Sequence, residues 1–496
     1  MPEHFKSLIV ILTIASTIFY LARKHIEPLL QPGEFVRWRN TWMGITLIAF
    51  LASNFWLYIL ATGFYISRAV KHLENRVAFF AVLLFVVPLI YSRLPFLFDI
   101  DYIRLLVLII LLPMFLSTKW RKDAPRLGKT SADWLLILLI ILMTILEMRG
   151  RTFTDALRSG MTYSIDMFLP YFIASRAIKD FKQLKAVIIG FAFAGLIAGA
   201  IAVFENVNQW LVYNALENAL SGGYFSLGAY LGRGTSLRAL SSLGHPLVLG
   251  LAMVITFGFF LFVAPSIKNK KMRWLCQLTI IAGLIAPVSR GPWVAATALL
   301  FIFIALGPNV VKKMSIALIF SAIAAASLPV IPGGQKIINL LPFVGKVDSF
   351  NVDYREVMLD KGILIVKRKP LFGVYEPSEE PEMEDMVQGE GIVDIVNSYL
   401  NIVLAYGIPG LILYVGFFLL ALYRVNKSKK KIKDKSNEEA LCGRALLATM
   451  LAVLMAISSV SSIGIIPTLL YFLAGIMFSY ARIIDNTYKK KPFSWK

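Results

Sequence analysis

Residues 185–207 read KAVIIGFAFAGLIAGAIAVFENV, and this stretch decides the fold class. A helix needs about 20 mostly apolar residues to cross the hydrocarbon core of a bilayer. Backbone N–H and C=O groups cannot be left bare in lipid. The run also lacks the period-two alternation of a membrane-barrel strand, so it must be helical. Read window by window, the same pattern recurs along the whole chain. Further apolar runs fall at 7–22, 42–66, 77–92, 102–118, 133–148, 161–177, 245–263, 274–289, 293–308, 314–331, 398–423, 445–463 and 465–482. The expectation is an all-α polytopic integral membrane protein with roughly 14 transmembrane helices (12–14).

Composition agrees. Of 496 residues, 57% are hydrophobic and 16% charged, against about 25% charged in ordinary soluble domains. The net charge is +21, from 51 Lys and Arg against 30 Asp and Glu. Such an excess can signal nucleic acid. Here it sits in short loops between apolar runs, at 67–76, 119–132, 178–186, 264–273, 309–313 and 424–444, and in the C-terminal YKKKPFSWK. That is the positive-inside pattern with attraction to anionic lipid, so inner-membrane lipids are expected partners and nucleic acid is not. It puts both termini in the cytoplasm. Loop 149–160 carries arginines on the opposite side, against the rule.

Cys276 and Cys442 fall at expected cytoplasmic helix ends and should stay reduced thiols. The first apolar run, Leu8 to Ala22, has no small-residue cleavage site after it and reads as a retained helix.

Two outer segments are conspicuously long, Asn208–Gly244 and about Pro332–Asn397. Long loops within a compact architecture are usually functional or disordered. The second interleaves Val357, Leu359, Ile363, Leu364 and Val366 with charges, which predicts a partly helical periplasmic loop capping the outer face. The chain thus divides into N-terminal membrane helices (1–160), central helices with the outer loop 208–244 (161–331), the large loop (332–397), and C-terminal helices with a cytoplasmic tail (398–496).

There is no P-loop, dinucleotide fingerprint, HExxH or CxxC. His4, His25, His72 and His245 are scattered, so no metal centre and no cofactor are expected. The informative residues are outer cations. Arg233 and Arg238 lie in LGRGTSLRALSSLGHP, Arg290 in VSRGPW, and Arg355 opens YREVMLDKGILIVKRKP with Lys361, Lys367, Arg368 and Lys369 behind it. An Arg near the membrane midplane costs about 2.5–3.5 kcal/mol on insertion scales, so arginines kept there need a reason. The planar guanidinium suits phosphate oxygens. Arg238 and Arg290 abut helix ends and glycines, where backbone N–H groups can also face an anion. Snorkelling or local ion pairing is the plainer reading of each. The stretch 375–394 is acidic with no Lys or Arg. It is either a solvated segment, a contact for sugar hydroxyls or a divalent-cation site. Asp394 opens the next apolar helix and is either a general base or a helix cap.

Four stretches carry a resemblance: RALSSLGHPLVLG (238–250), VSRGPWVA (288–295), YREVM to KPLFGVY (354–375) and VDIVNSYLNIVLAYGIPG (393–410). In order and membrane placement they resemble the O-antigen ligase and polymerase superfamily of bacterial envelope glycosyltransferases, over roughly residues 161–480. The last is the most specific. The family pattern is His-Asn, nine residues, then Gly-x-x-Gly; the chain has Asn397, Gly407 and Gly410 in register, but Val396 where the family has histidine. The resemblance implies a GT-C-like fold and a glycan donor on undecaprenyl pyrophosphate at the outer face. An acceptor sugar hydroxyl attacks the anomeric carbon, and the pyrophosphate leaves without help from a metal. Arg238 and Arg290 would hold the pyrophosphate, Arg355 would support them, and Asp394 would take the proton. His245, Asn397 and Tyr399 would contact acceptor or glycan.

Valine cannot take a proton, so the departure at Val396 favours a repeat-unit polymerase over a lipid A-core ligase. A protein that sets chain length is then a candidate partner. Protein O-oligosaccharyltransferase activity belongs to the same reading. A polysaccharide flippase, or an assembly partner without chemistry, is the rival from another class. Transporters, however, usually show related halves and midplane sites, which this sequence lacks.

Overall fold

The computed structural model describes residues 2–488 apart from 72, 95–96, 118–124, 221–231, 234–235, 328, 330–337, 339–349 and 388–392. His72, the side chain of Arg233, the middle of the first outer segment, most of 332–349 and the basic tail lie outside that description.

The chain opens with α1 (Glu3–Ile26), α2 (Glu34–Leu51), α3 (Phe55–Val70) and a short α4 (Arg76–Leu83). Next come α5 (Tyr102–Leu116), α6 (Ser131–Glu147) and α7 (153–177). The centre holds α8 (Phe181–Asn208), α9 (Pro246–Val263), α10 (Lys270–Ile285), α11 (Arg290–Ala305) and α12 (Val310–Ser327). The chain finishes with α13 (Phe350–Arg368), α14 (Ser398–Lys429), α15 (Glu438–Ala456) and α16 (Ile466–Thr487). Among the described residues, strand is confined to two two-residue pairings, Ser92–Arg93 with Asp99–Ile100 and Gly232–Arg233 with Ser236–Leu237. Among the described residues, six helical segments are long and apolar enough to cross a membrane: Glu3–Leu29, Phe181–Asn208, Pro246–Ser266, Ser398–Lys429, Glu438–Ser459 and Ile466–Thr487. Phe55–Val70, Tyr102–Leu116 and Arg290–Ala305 are shorter apolar helices. The chain is an all-α membrane protein.

α8 lies at the centre. Nearly every residue from Ala186 to Ala202 is buried, because the helix packs against α1, α4, α9, α10 and α16. A helix apolar all round has to be enclosed, whether by protein or by lipid. Small residues let these helices touch: a Cβ on Gly283 of α10 would lie 2.6 Å from the Cα of Gly199 of α8. At the periphery, Val311, Ile316, Leu318, Ile319, Phe320 and Ile323 of α12 are exposed, as befits a face turned to lipid.

Two expected spans are corrected. The run 42–66 is not one helix. It breaks at 52–54, where the Asn54 side chain accepts the Leu57 N–H at 2.9 Å and starts α3. Such a cap is worth about 1 kcal/mol, and hydropathy does not see it. The run 77–92 is helical only to Leu83. Side chains meet three of its freed carbonyls: Tyr102 donates to Leu83 at 2.8 Å, Ser242 to Phe85 at 2.7 Å and Tyr213 to Val86 at 3.2 Å. Residues 77–87 are buried in protein, which is the condition for irregular backbone at membrane depth.

α14 is also interrupted. Gly407 has φ 69° and ψ −174°, so the helix stops and restarts at the Gly-Ile-Pro-Gly sequence. A break leaves carbonyls behind it and N–H groups ahead of it without helical partners. Segment 370–374 and Arg149 supply them. Val374 N–H donates to Leu404 at 2.7 Å, Arg149 Nη2 donates to Ala405 at 2.7 Å, and Ile408 N–H donates to Pro370 at 2.8 Å. Pro409 has no N–H to satisfy and suits the first turn of the restarted helix. The KPLFGVY and GIPG stretches are therefore two halves of one joint.

Candidate functional site

α9, α11 and α14 all begin at the same end of the bundle, at His245, Ser289 and Asn397; the His245 and Asn397 side chains cap their helices. The Asn397 side-chain oxygen accepts from Tyr399 N–H at 3.0 Å and Leu400 N–H at 3.1 Å. Helix N-termini carry partial positive charge and unfilled N–H donors, so this end favours anions.

Two turns gather the expected site residues here. The first is 286–291. Arg238 Nε donates to the Pro287 carbonyl at 3.2 Å, and Ala239 N–H donates to Ala286 at 3.1 Å. Arg290, half-buried, follows on the first turn of α11. Val288 holds φ at 47°, as Ser241 does at 49° in the facing segment. Left-handed backbone at non-glycine residues costs roughly 1–3 kcal/mol each and concentrates at functional sites. The second turn is 459–462, between α15 and α16. A Cβ on Gly291 would come within 2.7 Å of Ser459 Oγ, so the start of α11 rests on this turn. Arg355, exposed on α13, donates to the Ser459 carbonyl at 3.4 Å. Ser461 Oγ donates to Asp394 Oδ1 at 2.9 Å, and Ser398 Oγ donates to the Val460 carbonyl at 2.7 Å.

Arg238, Arg290, Arg355 and Asp394 thus come from four separate parts of the chain and stand around two touching turns. His245 is beside Arg238. Burial first, and then the Arg238 charge, push its imidazole down from 6.5 to about 4. It is neutral at pH 7, and its Nδ1 accepts the Leu247 N–H at 3.2 Å. Tyr399 points elsewhere: its hydroxyl donates to Leu454 at 2.7 Å.

Asp394 is not the cap of α14; Asn397 is. The Asp394 carboxylate is oriented by a serine and half-buried, with Tyr354 donating to its backbone carbonyl at 3.3 Å. The cations further along α13 do something else. Lys361 is paired with Asp385, and Arg368 with Glu380 and with Glu382, the last at 3.0 Å. The acidic stretch is therefore docked on α13 by ion pairs, and the Lys361 contact holds the exposed Asp385 carboxyl below its usual range. No group of three metal-ligating side chains occurs among the described residues.

Sequence reading missed four residues that build this end. Glu205 and Asn206 close α8. The buried Glu205 carboxylate accepts from Val212, Leu240 and Ser241 N–H groups at 3.1, 2.9 and 2.7 Å. Asn206 Nδ2 donates to the Leu237 carbonyl at 2.6 Å and to Ala286 at 3.3 Å. Together they pin the Arg238 segment against the first turn. Ser459 and Ser461 form the second turn, inside a run expected to be membrane helix to residue 463. The signal was present: five polar or glycine residues in SSVSSIG interrupt the apolar pattern.

The O-antigen ligase family model matches residues 275–415. The matched span holds Arg290, Arg355, Asp394, Asn397 and Tyr399 and both halves of the Gly407 joint; Arg238 and His245 precede it. No curated protein matches the chain. The match over residues 275–415 supports the resemblance to the O-antigen ligase and polymerase superfamily.

Proposed function

We propose that the protein is a polysaccharide repeat-unit polymerase. It transfers a glycan from undecaprenyl pyrophosphate to an acceptor sugar hydroxyl on the periplasmic face of the inner membrane, with both termini cytoplasmic. The observation that carries this reading is the convergence of Arg238, Arg290 and Arg355 on turns 286–291 and 459–462, beside Asp394 and three helix N-termini.

In this reading the arginines and the helix ends hold the pyrophosphate and take up the charge it gains on leaving. A well-placed donor of this kind is worth about 2.7–4 kcal/mol. The acceptor hydroxyl attacks the anomeric carbon, the bond to the pyrophosphate oxygen breaks, and Asp394 accepts the hydroxyl proton. Direct displacement inverts the anomeric configuration. Pyrophosphate is already a good leaving group, so stabilising it counts for more than the base; this is how Val396 is accommodated. The neutral His245 adds no charge and would contact the glycan, with Asn397 and Tyr399 shaping the floor by holding α14. The full fold would be GT-C-like with about fourteen crossings, the shorter apolar helices included. Its working parts are 1–160, 161–331, the loop 332–397, and 398–496.

Attachment to lipid A-core is the second reading, favoured by the name of the matching family. Gene deletion in the host, complemented with wild type or Arg290→Ala, separates the two. Single-repeat glycans in the deletion, with long chains restored by wild type alone, are the polymerase result. Long chains stranded on the lipid carrier would make the protein a ligase. Repeats trapped on the cytoplasmic side would make it a transporter and end the enzyme reading. A product retaining the donor's configuration would exclude direct displacement.

A further inference from the structure

At the opposite end of α14, far from the arginine site, a cavity of about 430 Å³ opens between α6, α7, α14 and α16. Lys129, Arg176, Arg424 and Arg482 line it, with Asp485 as the lining carboxylate. Two of these cations are built in. Arg176, almost fully buried, donates to Asp133 at 2.6 Å, to Ser175 Oγ at 2.7 Å and to the Pro125 carbonyl at 3.1 Å. Arg482 donates to the carbonyls of Ser175, Arg176 and Ile178 at 3.3, 3.4 and 2.5 Å. Asp485 is already engaged by Lys431 and by Ser428, each at 2.7 Å, and stands 3.8 Å from Arg424. Four cations therefore meet two carboxylates, Asp133 and Asp485, and the cavity keeps a positive excess.

The cavity adjoins an apolar surface groove of about 620 Å³ between α6 and α14, with Ser131 and Leu420 lining both. Trp134, Leu138, Leu419 and Tyr423 line the groove and are exposed on the outer surface of the bundle. Gly416, in its floor, has open space where a side chain would be. A polar, cationic cavity beside an apolar groove on an exposed surface of the bundle matches one shape of ligand. Its head is a phosphate and its tail is a hydrocarbon chain. Basic pockets between membrane helices at the cytoplasmic side are suited to such headgroups, and the Lys-rich segment 427–435 marks this same end.

We propose that this is a binding site for an anionic glycerophospholipid of the bilayer, its phosphate among Lys129, Arg424 and Arg482 and an acyl chain in the groove. The site is independent of the transfer reaction. The test uses the full-length protein in detergent, partly delipidated, with retained lipid counted by native mass spectrometry. Wild type should retain phosphatidylglycerol in preference to phosphatidylcholine, and less of it at high salt. The double substitution Lys129→Gln with Arg424→Gln should weaken retention about tenfold or more. Gly416→Leu, which fills the groove and leaves every charge in place, should also displace the lipid; it keeps the test decisive if the double variant fails to fold. Equal retention of phosphatidylcholine, or unchanged retention in both variants, would overturn the proposal. So would equal thermal stabilisation by inorganic phosphate alone, or displacement of phosphatidylglycerol by stoichiometric undecaprenyl phosphate, which would assign the site to a different ligand.

Discussion

Gly407 and Leu371 meet backbone to backbone: a Cβ on Gly407 would lie 2.2 Å from the Leu371 carbonyl oxygen. The φ of 69° with ψ of −174° is open to glycine and essentially closed to other residues. Gly407→Ala therefore meets both a steric and a conformational barrier, and should cost at least about 3 kcal/mol. Gly416→Ala, on the same helix, has nothing within 4 Å and should be neutral or stabilising by up to about 1 kcal/mol. Thermal unfolding of the two purified variants decides it. Equal midpoints would mean that the joint does not constrain α14.

Arg149 closes the same joint from the other side. Its Nη1 donates to Phe372 and Gly373 at 2.8 and 3.0 Å, its Nη2 to Ala405 at 2.7 Å, and its Nε to Leu146 at 2.8 Å. A lysine has the charge but not the planar fork. Arg149→Lys should therefore lose about 2–4 kcal/mol of stability and fare little better than Arg149→Ala. A lysine variant as stable as wild type would show that charge alone suffices.

How far this was legible depends on which residues carried the signal. Apolar runs announced α8, α9, α14 and α16 within a few residues, because burial in lipid or protein writes itself into composition. Breaks made by a single side chain were hidden. Asn54 divides one run by one hydrogen bond, and three side chains distant in sequence permit α4 to end early. Arg238, Arg290, Arg355 and Asp394 could be named from their types and positions, but not the turns that unite them. Ser459 and Ser461 act through one carbonyl and one hydroxyl, and such contacts exist only once α11, α13 and α15 have packed. The arginines of loop 149–160 looked like a violation of the charge rule. For Arg149 the structure gives the reason: it is spent on backbone carbonyls.

Asp394 and Ser461 offer a test that separates proton transfer from orientation. Asp394→Asn still accepts the Ser461 hydroxyl proton, held at 2.9 Å in the native site, but it cannot take one from an acceptor sugar. If Asp394 is the base, chain formation should fall roughly 10²–10⁴-fold. Ser461→Ala removes only the orienting bond and should cost about tenfold. Rates would be read from polymer formed on lipid-linked repeats by membranes of each variant, at matched protein level. An Asp394→Asn protein with wild-type rates would remove the base and leave the arginines to carry the reaction.

His245 should contribute to the loss of stability in acid. Its imidazole titrates at about 4 in the folded protein, against 6.5 ordinarily, because burial and then Arg238 oppose its charge. Between those values the unfolded chain binds a proton that the native chain does not. The contribution of His245 is thus full above about pH 6.5 and is lost as pH falls toward 4, by at most about 3 kcal/mol. Protonation also removes the lone pair that caps α9, which would loosen the helix start beside Arg238. Asparagine caps helices and does not titrate in this range. His245→Asn should therefore flatten the fall in unfolding temperature between pH 7 and pH 4. Should both proteins lose stability equally over that window, another group governs the acid limit, and the imidazole is not held neutral by its surroundings.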